Sequence, residues 1–281
     1  MIPASASPRL AARGLAAGYP GRRVIDGLDL EIAPGRITMI IGANASGKST
    51  LLGTLARLHT PLAGRVEVDD VDVRSVPRRR FAQTVGLLPQ HPTAPDGVTV
   101  SELVGRGRHP HRGLLARWSA EDSARVDEAM AWTGVTDLAA RPVGDLSGGQ
   151  RQRVWIAMAL AQDPRILLLD EPTTFLDLSH QLDVLDLLRE LNRSRGTTVV
   201  AVLHDLNLAA RYADELVVMH DGAVVAHGTP ADVLTAEVVQ TAFGLRALVM
   251  PDPLTATPLI IPVPAASGAP VAADAAPSER P

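Results

Sequence analysis

The residue types best placed to do chemistry together are Gly42-Ala43-Asn44-Ala45-Ser46-Gly47-Lys48-Ser49-Thr50. They fit the pattern G-x-x-x-x-G-K-[ST], in which a glycine-rich turn points successive backbone N–H groups at phosphate oxygens. The lysine then reaches the outer phosphates, and the next hydroxyl, here Ser49, faces Mg²⁺. Lys48 is the sole lysine of the chain, since every other basic residue among the 27 Lys+Arg is arginine. A compact ammonium on a flexible stem fits between β- and γ-phosphate oxygens where a wide planar guanidinium does not. Nucleotide binding at residues 42–50 is the first expectation.

Four further groups have types and positions that invite chemistry. Leu146-Ser147-Gly148-Gly149-Gln150 offers Ser147 as a helix N-cap, yet two glycines in a first turn are costly for a helix. They make sense where a backbone must approach something closely, such as a phosphate. Asp170 and Glu171 follow the apolar run 166–169, and acids at the end of a buried strand are expensive unless they meet a cation or a reacting water. Asp170 is therefore expected to hold Mg²⁺, directly or through water, and Glu171 to polarise the attacking water. Gln90 and His204 end the apolar runs 84–89 and 197–203, and polar side chains at strand carboxyl ends face the crevice of an α/β sheet. Tyr19, just upstream of the loop, can stack on adenine or simply pack, and spacing alone leaves both open.

Other candidates read as structural. His109-Pro110-His111 lacks cysteine or a nearby carboxylate and makes a poor metal site, so a loop role is expected. Trp118, Trp132 and Trp155 are expected in the core, and Arg78-Arg79-Arg80 on a solvated face.

The elements that must position these groups follow from periodicity. Residues 36–41 form a buried strand into the loop, and Leu51, Leu52, Leu55 and Leu58 recur at helical spacing after it. Residues 10–17 and 28–32 predict a small antiparallel sheet, with a further strand at 64–69. Helices are expected at 100–106, 120–132 and 148–162, then at 178–192. The uninterrupted apolar strand at 166–169 indicates a parallel sheet covered on both faces. Residues 214–250 supply short strands and two small helices, and from about residue 265 an Ala/Pro/Ser-rich tail predicts disorder.

Composition removes several function classes. A net charge of −4 leaves no general basic footprint, so no nucleic-acid partner is expected. The absence of cysteine excludes disulfides and thiol catalysis and fits a reducing compartment. No apolar run approaches the roughly 20 residues that span a bilayer, and residues 1–9 lack the apolar core of a signal peptide. A cytoplasmic protein that meets a membrane through a partner is expected.

Taken in order, residues 42–50, Gln90, 146–150, Asp170-Glu171 and His204 resemble the motif set of ATP-binding-cassette ATPases over about residues 10–262. That combination is not shared by kinases or GTPases. The resemblance implies an α/β fold of the P-loop NTPase, ABC-ATPase type, with an N-terminal antiparallel β subdomain and a helical signature subdomain at about 91–160. One ATPase domain over 1–262 and a tail over 263–281 follow. It implies ATP and Mg²⁺ as cofactors, and Glu171, His204, Gln90 and Lys48 as catalytic residues. Ser49, Gln90 and Asp170 are the implied metal ligands. Tyr19 matches the adenine-stacking position, Gln90 the Q-loop, Leu176-Asp177 the D-loop, and His204 the switch histidine at the γ-phosphate.

The same resemblance implies a head-to-tail homodimer. Each ATP would lie between the loop 42–50 of one chain and Ser147, Gly148, Gly149 and Gln150 of the other, with Asp177 beside them. The helical region would meet an integral-membrane permease at the cytoplasmic face of the membrane, and a substrate-binding protein would be engaged indirectly. Residues 105–111, 172–181 and 204–213, outside the ATP chemistry, are most similar to ATPases of ferric-siderophore importers of the catecholate type. Ala45 departs from the glycine common in the loop, and Phe175 from the small residue common in the D-loop. The alternatives are importers of haem or cobalamin, or a soluble cassette ATPase acting on DNA or ribosomes. Against the last stand the lack of a long coiled-coil insertion and the single cassette. The intact Lys48, Asp170, Glu171 and His204 argue against a scaffold that no longer hydrolyses, and the missing spans against an exporter half.

Overall fold

The computed structural model describes residues 7–113, 117–174 and 176–264. β1 (Leu10–Tyr19) and β2 (Arg22–Ile32) form a hairpin across Pro20-Gly21, which places Tyr19 directly opposite Arg22. β3 (Ile37–Gly42), buried at every residue, runs through the glycine-rich loop into α1 (Lys48–Leu55). This helix ends early because Arg57 turns to a left-handed φ of 61°, so Leu58, expected on its apolar stripe, lies beyond it and is exposed. β4 (Ala63–Val68) and β5 (Val71–Asp72) complete a four-stranded antiparallel sheet in the order β2-β1-β4-β5. The expected N-terminal antiparallel layer is therefore present.

α2 (Arg78–Ala82) starts with the three exposed arginines and leads to β6 (Val85–Leu88). A helical layer follows: α3 (Val100–Gly105), α4 (Ala120–Trp132) and α5 (Gly148–Ala161). Each begins with a capping box, Thr99 with Glu102, Ser119 with Asp122 and Ser147 with Gln150, in which two otherwise orphaned N–H groups are satisfied reciprocally. The chain then alternates β7 (Ile166–Asp170), α6 (Leu178–Arg195), β8 (Thr198–Val202), α7 (Leu206–Tyr212), β9 (Glu215–His220) and β10 (Ala223–Gly228). It closes with α8 (Pro230–Val233), α9 (Ala236–Phe243) and the hairpin β11 (Ala247–Pro251) and β12 (Pro258–Pro262).

The central sheet has the order β10-β9-β3-β8-β7-β6, with β10 antiparallel to β9 and the remaining neighbours parallel. Strand periodicity divides its side chains between two cores. Met39, Leu167, Leu169, Val199 and Ala201 join the core under α5 and α6, whereas Ile40, Leu168, Val200 and Val202 join the core shared with α1 and the antiparallel sheet. In β3, β7 and β8 the apolar side chains on both faces are buried, so these strands read as continuous apolar runs. The α/β expectation holds.

Some expectations need correction. Trp118 is not in the core: it is exposed, its indole N–H donates to Ser123, and the Arg112 guanidinium lies 5.2 Å from its ring centroid. Trp132 is partly buried under Arg195, and Trp155 is buried as expected. α6 runs three residues past Asn192 because Gly196, at φ 65°, supplies its left-handed cap. Phe175 and residues 265–281 of the expected tail lie outside the described residues. Val263, the first residue of the expected tail, donates to the Arg246 carbonyl and extends the terminal hairpin.

Candidate active site

β3, β8, β7 and β6 lie side by side, and their carboxyl ends deliver in that order the glycine-rich loop, His204, Asp170 with Glu171, and Gln90. Each polar residue sits at its strand's end or one or two residues past it. Groups 121 residues apart in sequence are thereby brought to hydrogen-bond distance.

The loop is shaped by a close approach. Gly42 has φ 155°, and a Cβ there would fall 2.2 Å from the Met219 carbonyl oxygen of β9, so the turn against that strand requires glycine. Gly47, at φ 102°, opens α1, and Ala45 adopts φ 64°. Lys48 Nζ donates to the carbonyls of Gly42 and Ala43, each at 2.9 Å, and its side chain is buried. Burial pulls its pKa down, while Glu171 and Asp170 act to raise it. The ammonium is therefore a poorly hydrated cation at the centre of the concavity, a strong site for phosphate oxygens.

Ser49 Oγ donates to Asp170 Oδ1 at 3.1 Å. Burial pushes the Asp170 carboxyl up, its hydrogen bond from Ser49 pulls the other way, and the nearby Glu171 charge adds to the rise. A hydroxyl beside a carboxylate of raised pKa is a set of hard oxygen donors that a divalent cation would stabilise, and Mg²⁺ fits it.

Glu171 leaves β7 at a left-handed φ of 52°, a conformation that costs on the order of 1–3 kcal/mol for a residue with a side chain and persists where surroundings hold it. Three side chains do so. Oε1 lies 2.6 Å from His204 Nε2, and Oε2 accepts from Gln90 Nε2 at 2.6 Å and from Thr174 Oγ1 at 3.0 Å. Burial drives this carboxyl up, but the hydrogen bonds from His204, Thr174 and Gln90 outweigh it and hold the group below the usual carboxylate range. It is ionised at neutral pH.

Tyr19, Arg22, Val24, residues 44–50, Glu171 and His204 line a cleft of about 260 Å³. Tyr19 is not a core tyrosine: its ring is 48% exposed at the rim, with the His59 ring edge-on at 5.5 Å. Arg22, Val24, His59 and Thr174 are absent from the sequence expectations. The two-residue turn Pro20-Gly21 is the signal that pairs Arg22 with Tyr19; no comparable local signal marks His59 or Thr174.

The remaining expected residues stand elsewhere. Ser147 caps α5, accepting from the Gln150 N–H at 3.3 Å while Gln150 Oε1 accepts from the Ser147 N–H at 3.2 Å. Asp177 caps α6, and hydrogen bonds from the His180 backbone, Ser179 and the His180 ring hold its pKa at about 2. Ser147, Gly148, Gly149, Gln150 and Asp177 do not line the cleft of their own chain. His111 Nε2 meets the Gln162 carbonyl at 2.8 Å, tying the turn 106–111 to the end of α5.

A phosphate cradle with a buried ammonium, a paired hydroxyl and carboxylate of the kind that suits a divalent cation, and an ionised carboxylate held by three donors can bind and hydrolyse a nucleoside triphosphate. The family profile described as "ABC transporter" matches residues 25–174. The chain is 51% identical to the "Achromobactin transport ATP-binding protein CbrD" of Dickeya dadantii (strain 3937), covering 90% of this chain and 94% of that protein. It is 50% identical to the "Ferric enterobactin transport ATP-binding protein FepC" of Escherichia coli (strain K12), covering 91% and 94%. A dimeric ATP-binding cassette solved in a post-hydrolysis state with ADP and Pi superposes with a TM-score of 0.69 at 29% identity, over 78% of this chain and 98% of that one.

Proposed function

The chain belongs to the ABC transporter family, and on that premise we propose that it is the ATP-hydrolysing, energy-coupling subunit of an importer for iron–siderophore complexes. One observation carries the chemistry: Lys48, Ser49, Asp170, Glu171, Gln90 and His204 come from four neighbouring strand ends to the mouth of one phosphate loop.

In this reading the N–H groups of residues 42–50 and Lys48 hold the β- and γ-phosphates, and Tyr19 stacks on the base. Ser49 and Asp170, with the Gln90 amide oxygen, would hold Mg²⁺, which neutralises charge on the phosphates during transfer. Glu171 orients water and takes its proton. His204 and Gln90 both spend hydrogen bonds on Glu171, so a γ-phosphate that draws His204 away, or a cation that draws Gln90 away, frees the base. Glu171→Gln is expected to keep ATP binding and lose about 10²- to 10⁴-fold in turnover, the usual range for a general base. Near-normal single-turnover hydrolysis by that variant would remove Glu171 from the role.

Ser147, Gly148, Gly149, Gln150 and Asp177 do not line the cleft of their own chain, which supports a head-to-tail homodimer in which they complete the site of a second copy. ATP then favours the closed pair and hydrolysis releases it, a ligand-driven shift between two states. Among the described residues no helix is long and apolar enough to cross a membrane. The reading places the chain at the cytoplasmic face, against a permease that meets the helical layer of residues 91–160, with a substrate-binding protein engaged indirectly.

The cargo rests on what relatives about 50% identical transport, achromobactin and ferric enterobactin. The test is uptake of radiolabelled iron-siderophore by source cells, wild type against Lys48→Ala at the native locus, with labelled cobalamin and haem in parallel. Loss of siderophore uptake alone is the expected result. Loss confined to cobalamin or haem reassigns the cargo, and uptake of all three by the variant overturns the import reading.

A further inference from the structure

His180 touches two segments that belong to different elements. It is the third residue of α6, and its Nδ1 lies 2.6 Å from Asp177 Oδ1. The same oxygen accepts the His180 backbone N–H at 3.0 Å and the Ser179 hydroxyl at 2.9 Å. The other side of the ring lies on Gly149 of α5, where an added Cβ would fall 2.8 Å from Cδ2 and 3.2 Å from Cγ. The imidazole thus occupies the space that a side chain at Gly149 would need. It does not line the nucleotide cleft of its own chain.

We propose that His180 is a positioning residue that fixes the signature turn at Gly149 and the D-loop turn at Asp177 as one unit, presented to the nucleotide of a second copy. The proposal rests on the sandwich reading above. Physically, α5 reaches its N-terminus from the helical layer, whereas α6 follows β7 of the central sheet. Two turns held by separate elements can shift relative to each other, and groups that must meet one ligand lose much of their effect when misplaced by about 1 Å. A ring hydrogen-bonded to one turn and packed on the other removes that freedom. It also gives Gly149 an intrachain reason to be glycine, separate from any approach to phosphate.

The test uses the full-length chain carrying Glu171→Gln, with ATP-dependent dimerisation followed by sizing with light scattering. It compares this parent with the same chain carrying His180→Ala or His180→Asn. Binding of a fluorescent ATP analogue to the monomer is measured in parallel. Losing one positioned hydrogen bond at each of two symmetric sites is expected to weaken dimerisation about tenfold. Nucleotide affinity of the monomer should stay within about twofold. His180→Asn, which keeps a donor near the Nδ1 position, should recover part of the loss.

With Glu171 intact, turnover of His180→Ala should fall at dilute protein and return as protein concentration rises, a dependence that general destabilisation does not produce. Unchanged dimerisation of both variants overturns the proposal and leaves the sandwich standing. Monomer nucleotide affinity lost along with dimerisation assigns His180 a folding role and also overturns it. A Glu171→Gln parent that stays monomeric with ATP overturns the sandwich and the proposal together.

Discussion

Glu171 shows how a single residue can be strained, half-buried and still ionised. Its backbone is held left-handed, its burial works against a charged carboxylate, and three donors decide the balance. Thr174 is the donor whose removal leaves both the Q-loop and the switch histidine untouched. In Thr174→Val the Glu171 pKa should rise, because burial still acts and one opposing hydrogen bond is gone. A base is active when ionised, so the acid limb of single-turnover kcat/KM should move to higher pH while the neutral plateau is retained. An acid limb that stays in place would show that the hydroxyl does not tune the base. Stability changes with the same sign. A carboxyl depressed in the folded state stabilises above its unfolded pKa, and that contribution fades as pH falls through the folded value. Ala45 is strained in the same sense: at φ 64° it holds a left-handed turn that costs an alanine roughly 1–2 kcal/mol. Its departure from glycine is legible in the sequence, but the sign of its φ is not.

At the scale of elements, the turn 106–111 is joined to α4 by a buried ion pair. Arg108 Nε donates to Asp122 Oδ1 at 3.0 Å, its Nη1 donates to the Ala161 carbonyl, and both side chains are buried. Burial pushes Asp122 up, and hydrogen bonds from Arg108 and Ser119 outweigh this to hold it low. Removing one partner leaves a buried charge, so Arg108→Met should cost about 3–5 kcal/mol, read from urea midpoints at unchanged m-value. Adding Asp122→Ala should restore part of it, and additive losses would deny the coupling. The helix α4 that carries Asp122 was legible to the residue, since its start is a capping box and its apolar stripe is regular. Elements ending on long-range contacts were not. β12 is bounded by prolines and held by Asn207, whose side chain exchanges hydrogen bonds with the Ile260 backbone from 53 residues away. Trp118 misled because an aromatic residue before a helix resembles a core anchor, while here it covers Gly105 from outside. In the candidate site, Gln90, Asp170, Glu171 and His204 were legible because each closes an apolar run, and Lys48 and Ser49 because of the loop pattern around them. Thr174 and His59 were hidden because only through-space contacts give them a role.

For the whole molecule the decisive question is whether two incomplete halves make one site. Gly149→Asp is an ambiguous test, since any Cβ there meets His180 in the same chain. Gly148 is the cleaner position: an added Cβ meets nothing within 4 Å, and the residue opens α5 immediately after the Ser147 cap. An aspartate in the first turn of a helix is favoured by the helix dipole, by about 0.3–1 kcal/mol, and has a better helix propensity than glycine. Gly148→Asp should therefore fold at least as stably as wild type, with the monomer's nucleotide affinity unchanged. Facing the phosphates of a second copy, the same carboxylate would meet like charge. At about 4 Å and an effective dielectric of about 20 that repulsion is on the order of 4 kcal/mol per site, and a symmetric pair contains two such sites. In the Glu171→Gln chain the expected result is complete loss of the ATP-dependent dimer, read by light scattering, with the urea midpoint maintained or raised. A normal dimer would mean that the signature turn meets no phosphate, and the glycines at 148 and 149 would then need an explanation from within one chain.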